Sequence, residues 1–310
     1  MKELTDIATM WERRAGESFA LATLVRARGS SYRRPGARML IKCDGTTVGS
    51  LSGGCLEEEV AERAQVVVSS GVPELMQFDT RRRYGCNGAI EIFVEPAPGE
   101  FLAALAESIR MRRRCRALTL FAGADSAELG TRMLSPDEFA PAGVFVQEIA
   151  PPIQLFLFGD GPDSTPLRSL ALVLGWAVIE VDRAECLPTN LDDRTAAVVK
   201  SHNYGRDFTA LQRLLQLDLR YVALLGPRKR RDQLLGDLLD IGVALNAELF
   251  SPAGLDLGAE TPEEIALAIV AEIQAVFADA TGESLRDRKV PIHGWNIAPV
   301  HPRACEVSPQ

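Results

Sequence analysis

Apolar positions along the chain follow two regimes. Up to about residue 130, buried-looking runs of different lengths are separated by polar loops; from residue 153 onward, short and wholly apolar runs alternate with amphipathic stretches. Residues 19–27 are almost continuously apolar, which predicts a strand buried on both faces. Residues 39–42 and 47–49 flank Asp44-Gly45 and predict a β-hairpin with that dipeptide as its turn. Residues 55–68 predict a helix, because Leu56, Val60 and Ala64 share one face. Glu57, Glu58 and Glu59 fall in its first turn, where the helix macrodipole favours acids. Residues 89–94 predict a strand stopped by Glu95-Pro96, 101–112 a helix and 117–121 a strand.

In the second regime, strands are predicted at 153–158, 177–181, 196–199 and 221–225, and helices at 165–174, 208–217 and 230–239. Gly175 and Gly242 stand where the first and last of these helices should end. Thr261-Pro262-Glu263-Glu264 opens a long helix to about Phe277: threonine at the N-cap, proline at the first helical position and glutamate at N3 form a capping box. Apolar strands alternating with helices imply a parallel, doubly wound sheet. The fold class is therefore α/β, with an N-terminal α+β domain followed by a Rossmann-like doubly wound parallel-sheet domain. Residues 135–152 carry Pro136, Pro141, Pro151 and Pro152 and read as irregular, which places the domain boundary there. The expected domains are 1–140 and 151–293, with 294–310 an extended tail bearing Pro299, Pro302 and Pro309.

A length of 310 residues exceeds one typical core, and 46% hydrophobic with 25% charged residues suits a packed fold. A net charge of −8 gives no electrostatic reason to bind nucleic acid or an anionic membrane. The basic runs at 81–83, 112–114 and 228–231 read as solvated faces, the last also as a receiver of anions because it follows Gly226-Pro227. The polar start has no apolar signal core and no stretch is long enough to span a bilayer, so a cytoplasmic protein is expected. Six cysteines stand at 43, 55, 86, 115, 186 and 305, with no Cys-x-x-Cys and only three histidines. That composition argues against a disulfide framework and against a closed metal site.

Chemistry concentrates in a few loops. Ser52-Gly53-Gly54-Cys55 and Gly85-Cys86 each put a thiol where side chains are few, so Cys55 and Cys86 are the candidate reactive residues. The glycines would leave backbone N–H groups free, and Cys55 would begin a helix; the bland alternative for both is a small buried cysteine. Cys43, Cys115 and Cys186 read as plain core or surface residues. The stretch 28–36 holds Arg28, Arg33 and Arg34 among glycine and hydroxyl residues, either as an anion-holding loop or as a solvated turn. Gly159-Asp160-Gly161 lies between an apolar strand and a helix, with Asp182 ending the next strand, as in a nucleotide loop followed by a ribose-binding acid. The third glycine is missing, and Asp160 and Asp163 bring negative charge to the phosphate position, so a fold kept as scaffold is the alternative. His202 and Arg228 follow later strands whose ends face the same crevice; a lone histidine can equally be structural.

Together these segments resemble the xanthine dehydrogenase accessory factor family, XdhC/CoxI. The likeness runs through the arginine-bearing Gly29-Ser30-Ser31 loop, Pro35-Gly36-Ala37-Arg38-Met39, Gly49-Ser50-Leu51-Ser52-Gly53-Gly54-Cys55, the Gly85-Cys86 loop and Val94-Glu95-Pro96. It continues through the Gly159 loop, His202-Asn203-Tyr204, Leu224-Leu225-Gly226-Pro227-Arg228 and 254–264, covering about 18–293. Tyr32 stands where the family usually has proline, Asn87 where it has glycine, and Asp160 and Pro162 where it has alanine and histidine. The resemblance implies a molybdenum-cofactor (molybdopterin) chaperone that holds the cofactor while a cysteine desulfurase supplies its sulfido ligand. It then delivers the cofactor to a xanthine dehydrogenase-like molybdenum hydroxylase, and acts as a homodimer. Arg33, Arg34, Ser52, Gly53 and Gly54 would hold cofactor beside Cys55 and Cys86. Gly159, Gly161, Asp182, His202 and Arg228 would form a second site, for NAD(P) or another nucleotide. The rival readings are an NAD(P)-dependent oxidoreductase built on that second site and a scaffold that bridges the partner proteins.

Overall fold

The computed structural model describes residues 1–14, 16–79, 88–123, 128–135, 137–141, 144–188 and 191–289. Cys86, its neighbours Gly85 and Asn87, the basic run at 81–83 and the tail from 290 lie outside the described residues.

The first half is built on a five-stranded antiparallel sheet ordered β3-β2-β1-β5-β4. Its strands are β1 (Phe19–Gly29), β2 (Arg38–Lys42), β3 (Thr47–Gly49), β4 (Glu74–Asp79) and β5 (Gly88–Pro96). Helix α2 (Glu57–Ser70) covers one face, packing Val60, Ala64 and Val67 on Ala20, Ala22 and Leu24. On the other face, Phe19 and Leu21 meet Leu4 and Ile7 of α1 (Lys2–Arg13) and Phe101, Leu102 and Leu105 of α3 (Gly99–Arg110). Covered on both sides, β1 has no need of polar alternation, which is why its sequence reads as an unbroken apolar run.

A second, three-stranded antiparallel sheet ordered β7-β6-β8 joins that core through Ala117 and Ile149. It comprises β6 (Cys115–Leu120), β7 (Gly130–Leu134) and β8 (Phe145–Ile149). β8 falls within the stretch expected to be irregular. It is a half-buried strand whose ladder to β6 supplies what its sequence pattern lacks. Helix α2 begins at Glu57, so Cys55 precedes the helix instead of opening it.

The second half is a parallel sheet ordered β10-β9-β11-β12-β13, with β9 (Gln154–Phe158), β10 (Ala177–Val181), β11 (Thr195–Val199), β12 (Tyr221–Leu224) and the short β13 (Leu249–Phe250). Helices α5 (Tyr204–Leu214) and α6 (Arg228–Asp240) cover one face with Leu211, Leu214, Leu234 and Leu238. Helices α4 (Ser164–Val173) and α7 (Pro262–Phe277) cover the other with Leu167, Ala171, Ile269 and Ile273. The expected capping box opens α7: Thr261 Oγ1 accepts from the Glu264 N–H at 3.3 Å and Glu264 Oε2 from the Thr261 N–H at 3.0 Å. Helix α5 starts four residues before the expected point, because Asn203 Oδ1 accepts from the Arg206 N–H at 3.0 Å and the first turn is polar. Strand order reverses between β9 and β11, and the loops that follow these two strands meet at that switch point.

The basic run at 112–114 is not simply a solvated face. Arg112, with a left-handed φ of +52°, donates two hydrogen bonds to Asp192 at 2.7 and 3.0 Å, and Arg114 pairs with Asp193, so the run ties the two halves together. Among the described residues no helix is long and apolar enough to cross a membrane, and no cluster of three or more His, Cys, Asp or Glu side chains is placed to hold a metal ion.

Candidate functional site

The sequence candidates of the first half issue from one end of the antiparallel sheet. Gly29 at the end of β1 pairs with Gly88 at the start of β5, and Gly49 at the end of β3 pairs with Met39 near the start of β2. The loops 30–37 and 50–56 therefore leave the sheet on the side where β4 ends at Asp79 and β5 begins at Gly88. Gly88 is required there: a Cβ would stand 2.4 Å from the Ser30 carbonyl oxygen and 2.6 Å from that of Arg28.

In the loop 50–56 most N–H groups are occupied, that of Gly54 among them, although both glycine N–H groups were expected to be free. Glu57 Oε1 accepts from the Leu51 and Ser52 N–H groups at 3.1 and 2.8 Å, and Oε2 accepts from the Ser52 hydroxyl at 2.7 Å and the Leu56 N–H at 3.1 Å. Ser52 Oγ in turn accepts from the N–H groups of Gly54 and Cys55, each at 3.2 Å. Burial pushes the Glu57 carboxyl up, but the hydrogen bonds from Ser52 and the backbone outweigh it and hold the group below its ordinary value. The loop is thus wrapped on its own anion. What it offers outward is Cys55, exposed with Sγ 3.5 Å from Ser52 Oγ, beside open space over Gly53 and Gly54. Sequence reasoning assigned Glu57 only to the helix dipole; its position five residues after Ser52 was the available signal.

The three arginines of the neighbouring loop do not converge. Arg33 donates to Ser50 Oγ at 2.8 Å and to Glu3 Oε2 at 2.7 Å. Glu3 also accepts from the Arg38 N–H at 2.9 Å, so Arg33 fastens both loops to α1. Arg33 and Arg34 line a cavity of about 430 Å³ with Tyr32, Glu3 and Gln147, whereas Arg28 lines a different one of about 330 Å³ with Arg26, Asp79 and Glu91. Behind the first cavity, Gln147 lies over Gly36 and accepts from the fully buried Arg38, whose Nε and Nη2 find no hydrogen-bond partner among the described residues. Burial drives the Arg38 guanidinium down to about 10. It drives the Glu95 carboxyl up to about 7, against hydrogen bonds from the Thr131 N–H at 2.9 Å and hydroxyl at 2.5 Å. Neither charge stood out in the sequence, since nothing in a five-residue strand announces that its arginine points inward.

Of the second-half candidates, Gly159 and Asp182 line a crevice of about 700 Å³ at the carboxyl ends of β9, β10 and β11, together with Arg183, Ser201, Arg206 and Ala210 among others, whereas Gly161, His202 and Arg228 do not line it. Gly159 (φ +96°) lies so close to Ser201 that a Cβ would stand 2.4 Å from its Cα. Gly161 packs over the Asp163 carboxylate. Arg206 donates to the Asp182 carbonyl at 2.9 Å and lies 3.9 Å from the exposed Asp160. His202, at φ +54°, is exposed; its neighbours Ser201 and Asn203 line the crevice, and it does not. Arg228 is exposed at the start of α6, while Arg230 turns in to the buried Asp207, whose other oxygen accepts from the Ser201 N–H at 3.2 Å. Lys200 and Asp163, both unremarked in the sequence as a pair, meet beneath the glycine loop. The arginine cavity and this crevice share no lining residue.

Comparison with known proteins follows the same division. The XdhC and CoxI family model matches residues 12–79 and the XdhC Rossmann domain model matches 155–273. Over 312 residues the chain is 32% identical to a probable xanthine dehydrogenase subunit of Bacillus subtilis (strain 168), covering 83% of this chain and 92% of that protein. It is 24% identical over 284 residues to the molybdenum cofactor insertion chaperone PaoD of Escherichia coli (strain K12), covering 84% of each. A crystal structure of a xanthine dehydrogenase from Bacillus halodurans superposes with a TM-score of 0.75 at 25% identity, covering 93% of this chain and 98% of that one. The loops of Arg33 and Cys55 lie inside the first matched segment and the residues of the crevice inside the second.

Proposed function

The chain belongs to the XdhC and CoxI family, and from that premise we propose that it is an accessory protein of molybdenum-cofactor maturation. In this reading it binds the cofactor in its first module and holds it while a cysteine desulfurase supplies sulfur. It then passes the cofactor to a xanthine dehydrogenase-like molybdenum hydroxylase. The protein works in the cytoplasm, where thiols stay reduced, and as a homodimer. It acts on its partner enzyme and not on a substrate of its own. The relative named as a molybdenum cofactor insertion chaperone supports the cofactor, and the one named as a probable xanthine dehydrogenase subunit supports the class of target.

The observation that carries the reading is the exposed Cys55 on a loop whose glycines face open space and most of whose backbone donors are already held by Glu57 and Ser52. A rigid, uncovered thiol is a donor suited to a soft metal–sulfur centre. The cavity of Arg33 and Arg34, on the loop that leaves the same sheet end, suits the phosphate of a pterin cofactor. These residues fit the group: Cys55 would face the metal end and Arg34 the anionic end. When bound, the cofactor supplies the molybdenum–sulfur chemistry; the protein contributes the hold, the orientation and the shielding from water. Cys86 has its proposed place on the connection that returns at Gly88 and lies outside the described residues.

The test is binding of molybdenum cofactor to the purified protein beside Cys55→Ala, with activation of the target enzyme as a second readout. Stoichiometric binding that weakens at least tenfold in the variant, with unfolding unchanged, is the expected result. Equal binding by both proteins would remove Cys55 from the site, and absence of binding by the unaltered protein would end the chaperone reading.

A further inference from the structure

Asp163 occupies the N-cap position of α4, yet its carboxylate does not cap the helix. An aspartate there ordinarily accepts from the N–H groups of the first turn and gains stability by doing so. This one is turned inward: it is 5% exposed, its Oδ2 has no hydrogen-bond partner among the described residues, and it stands 3.6 Å from Lys200 Nζ. Lys200, at the end of β11, is fully buried and donates to Ser164 Oγ at 2.5 Å. Gly161 closes over the pair, since a Cβ there would lie 2.9 Å from Asp163 Oδ1 and 3.9 Å from Lys200 Nζ. In a doubly wound fold this spot, between the first glycine loop and the start of the following helix, is where a dinucleotide's pyrophosphate rests.

Three of the backbone donors that a pyrophosphate could use here are missing or engaged. Pro162 and Pro166 have no N–H, and the Ser164 N–H is turned back to the Gly161 carbonyl at 3.1 Å. Gly159 is pressed against Ser201, leaving no gap between the two loops at the switch point. Exposed Asp160 adds negative charge at the rim. The rest of the crevice stays open. Asp182 directly follows β10, where such folds hold ribose hydroxyls, its carboxylate accepts no hydrogen bond from the described residues, and Ala184 and Ala210 give an apolar wall.

We propose that this crevice binds a ribonucleoside-class ligand by its sugar diol at Asp182, and that the adjoining phosphate position is filled by the chain's own Asp163 carboxylate on Lys200. The site therefore takes a nucleoside in preference to the corresponding diphosphate or dinucleotide. Nothing in this depends on the cofactor reading of the first module, and the experiment does not use that cofactor.

Calorimetric titration of the full chain with adenosine, cytidine and guanosine, with their 5′-diphosphates and with NAD⁺ tests it. The unaltered protein should bind at least one nucleoside, and at least tenfold more tightly than its diphosphate. Asp182→Ala should weaken nucleoside binding at least tenfold. Asp163→Asn should strengthen diphosphate binding at least tenfold with nucleoside affinity kept, because Lys200 is then without its carboxylate. Should that variant fail to fold, the charge-neutral pair Asp163→Leu with Lys200→Met should fold, bind nucleoside as before and show no gain for diphosphate. Tighter binding of NAD⁺ or a diphosphate by the unaltered protein, no nucleoside binding, no gain in folded Asp163→Asn, or a gain in the neutral pair would each overturn the proposal.

Discussion

In the loop 51–57, the Glu57 carboxylate collects donors from Leu51, Leu56 and twice from Ser52, and lies partly open to water. In the loop 159–164, the Asp163 carboxylate is almost fully buried, with one oxygen lacking a hydrogen-bond partner among the described residues and a lysine 3.6 Å away. Both are glycine loops that run into a helix, and both hold an anion of their own chain. The first arrangement satisfies every strong demand of the carboxylate and stiffens the loop that carries Cys55. The second leaves a buried polar atom unmet, which folding alone would select against. Their difference separates a loop built as a mount from a loop whose ligand position is filled by the chain.

The largest effect that can break this comparison comes from Lys200→Met. It strands the Asp163 carboxylate in the interior and should lower stability by about 3–5 kcal/mol in chemical denaturation, with most of the loss restored by adding Asp163→Leu. A loss below about 1 kcal/mol would mean that water reaches Asp163, and the contrast between the loops would collapse. Glu57→Ala comes next: with its donors left partly hydrated, about 2 kcal/mol should be lost, together with faster proteolysis at 50–56. Because the folded Glu57 group lies below its ordinary value of 4.5, its contribution is complete above that pH. The gap between the unaltered protein and the variant should close as pH falls through the folded value. Ser52→Ala removes one donor to Glu57 and the acceptor for two N–H groups, for about 1 kcal/mol.

Glu95 sharpens the comparison from a third side. Among the described residues it has only the two donors of Thr131, and burial prevails, raising its carboxyl from 4.5 to about 7. Between those values the folded chain carries the extra proton, so stability should fall as pH rises from about 4.5 to about 7. Glu95→Gln should flatten that slope in denaturation curves taken across the window; an unchanged slope would place the titration elsewhere.

The second half was the more legible in the sequence. Its central strands β9, β11 and β12 are covered on both faces and so read as apolar runs, and the capping box at Thr261 marked α7 to the residue. In the first half β1 was equally plain, but β8 was hidden among prolines, because a strand held by its ladder to β6 and half-buried needs little pattern of its own. The polar first turn of α5 was missed for a similar reason: Asn203 starts it, not an apolar stripe. Of the candidate site, the loops of Arg33, Cys55 and Gly159 were visible as glycine-rich punctuation. The separation of Arg28 from Arg33 and Arg34, the commitment of Arg33 to Glu3, and the outward turn of His202 were not.

By itself the sequence determined which segments are strands and helices over most of the chain and that the chain belongs with a recognisable family, because periodicity and capping act within a turn or two. Only the tertiary structure decided where the charges go. Glu57 folds back on its own loop, Lys200 meets Asp163 from a strand 37 positions away, and Arg112 crosses to Asp192. Desolvation and ion pairing depend on which side chains packing brings within a few ångströms, and that is set by the sheets and not by the neighbours in the chain.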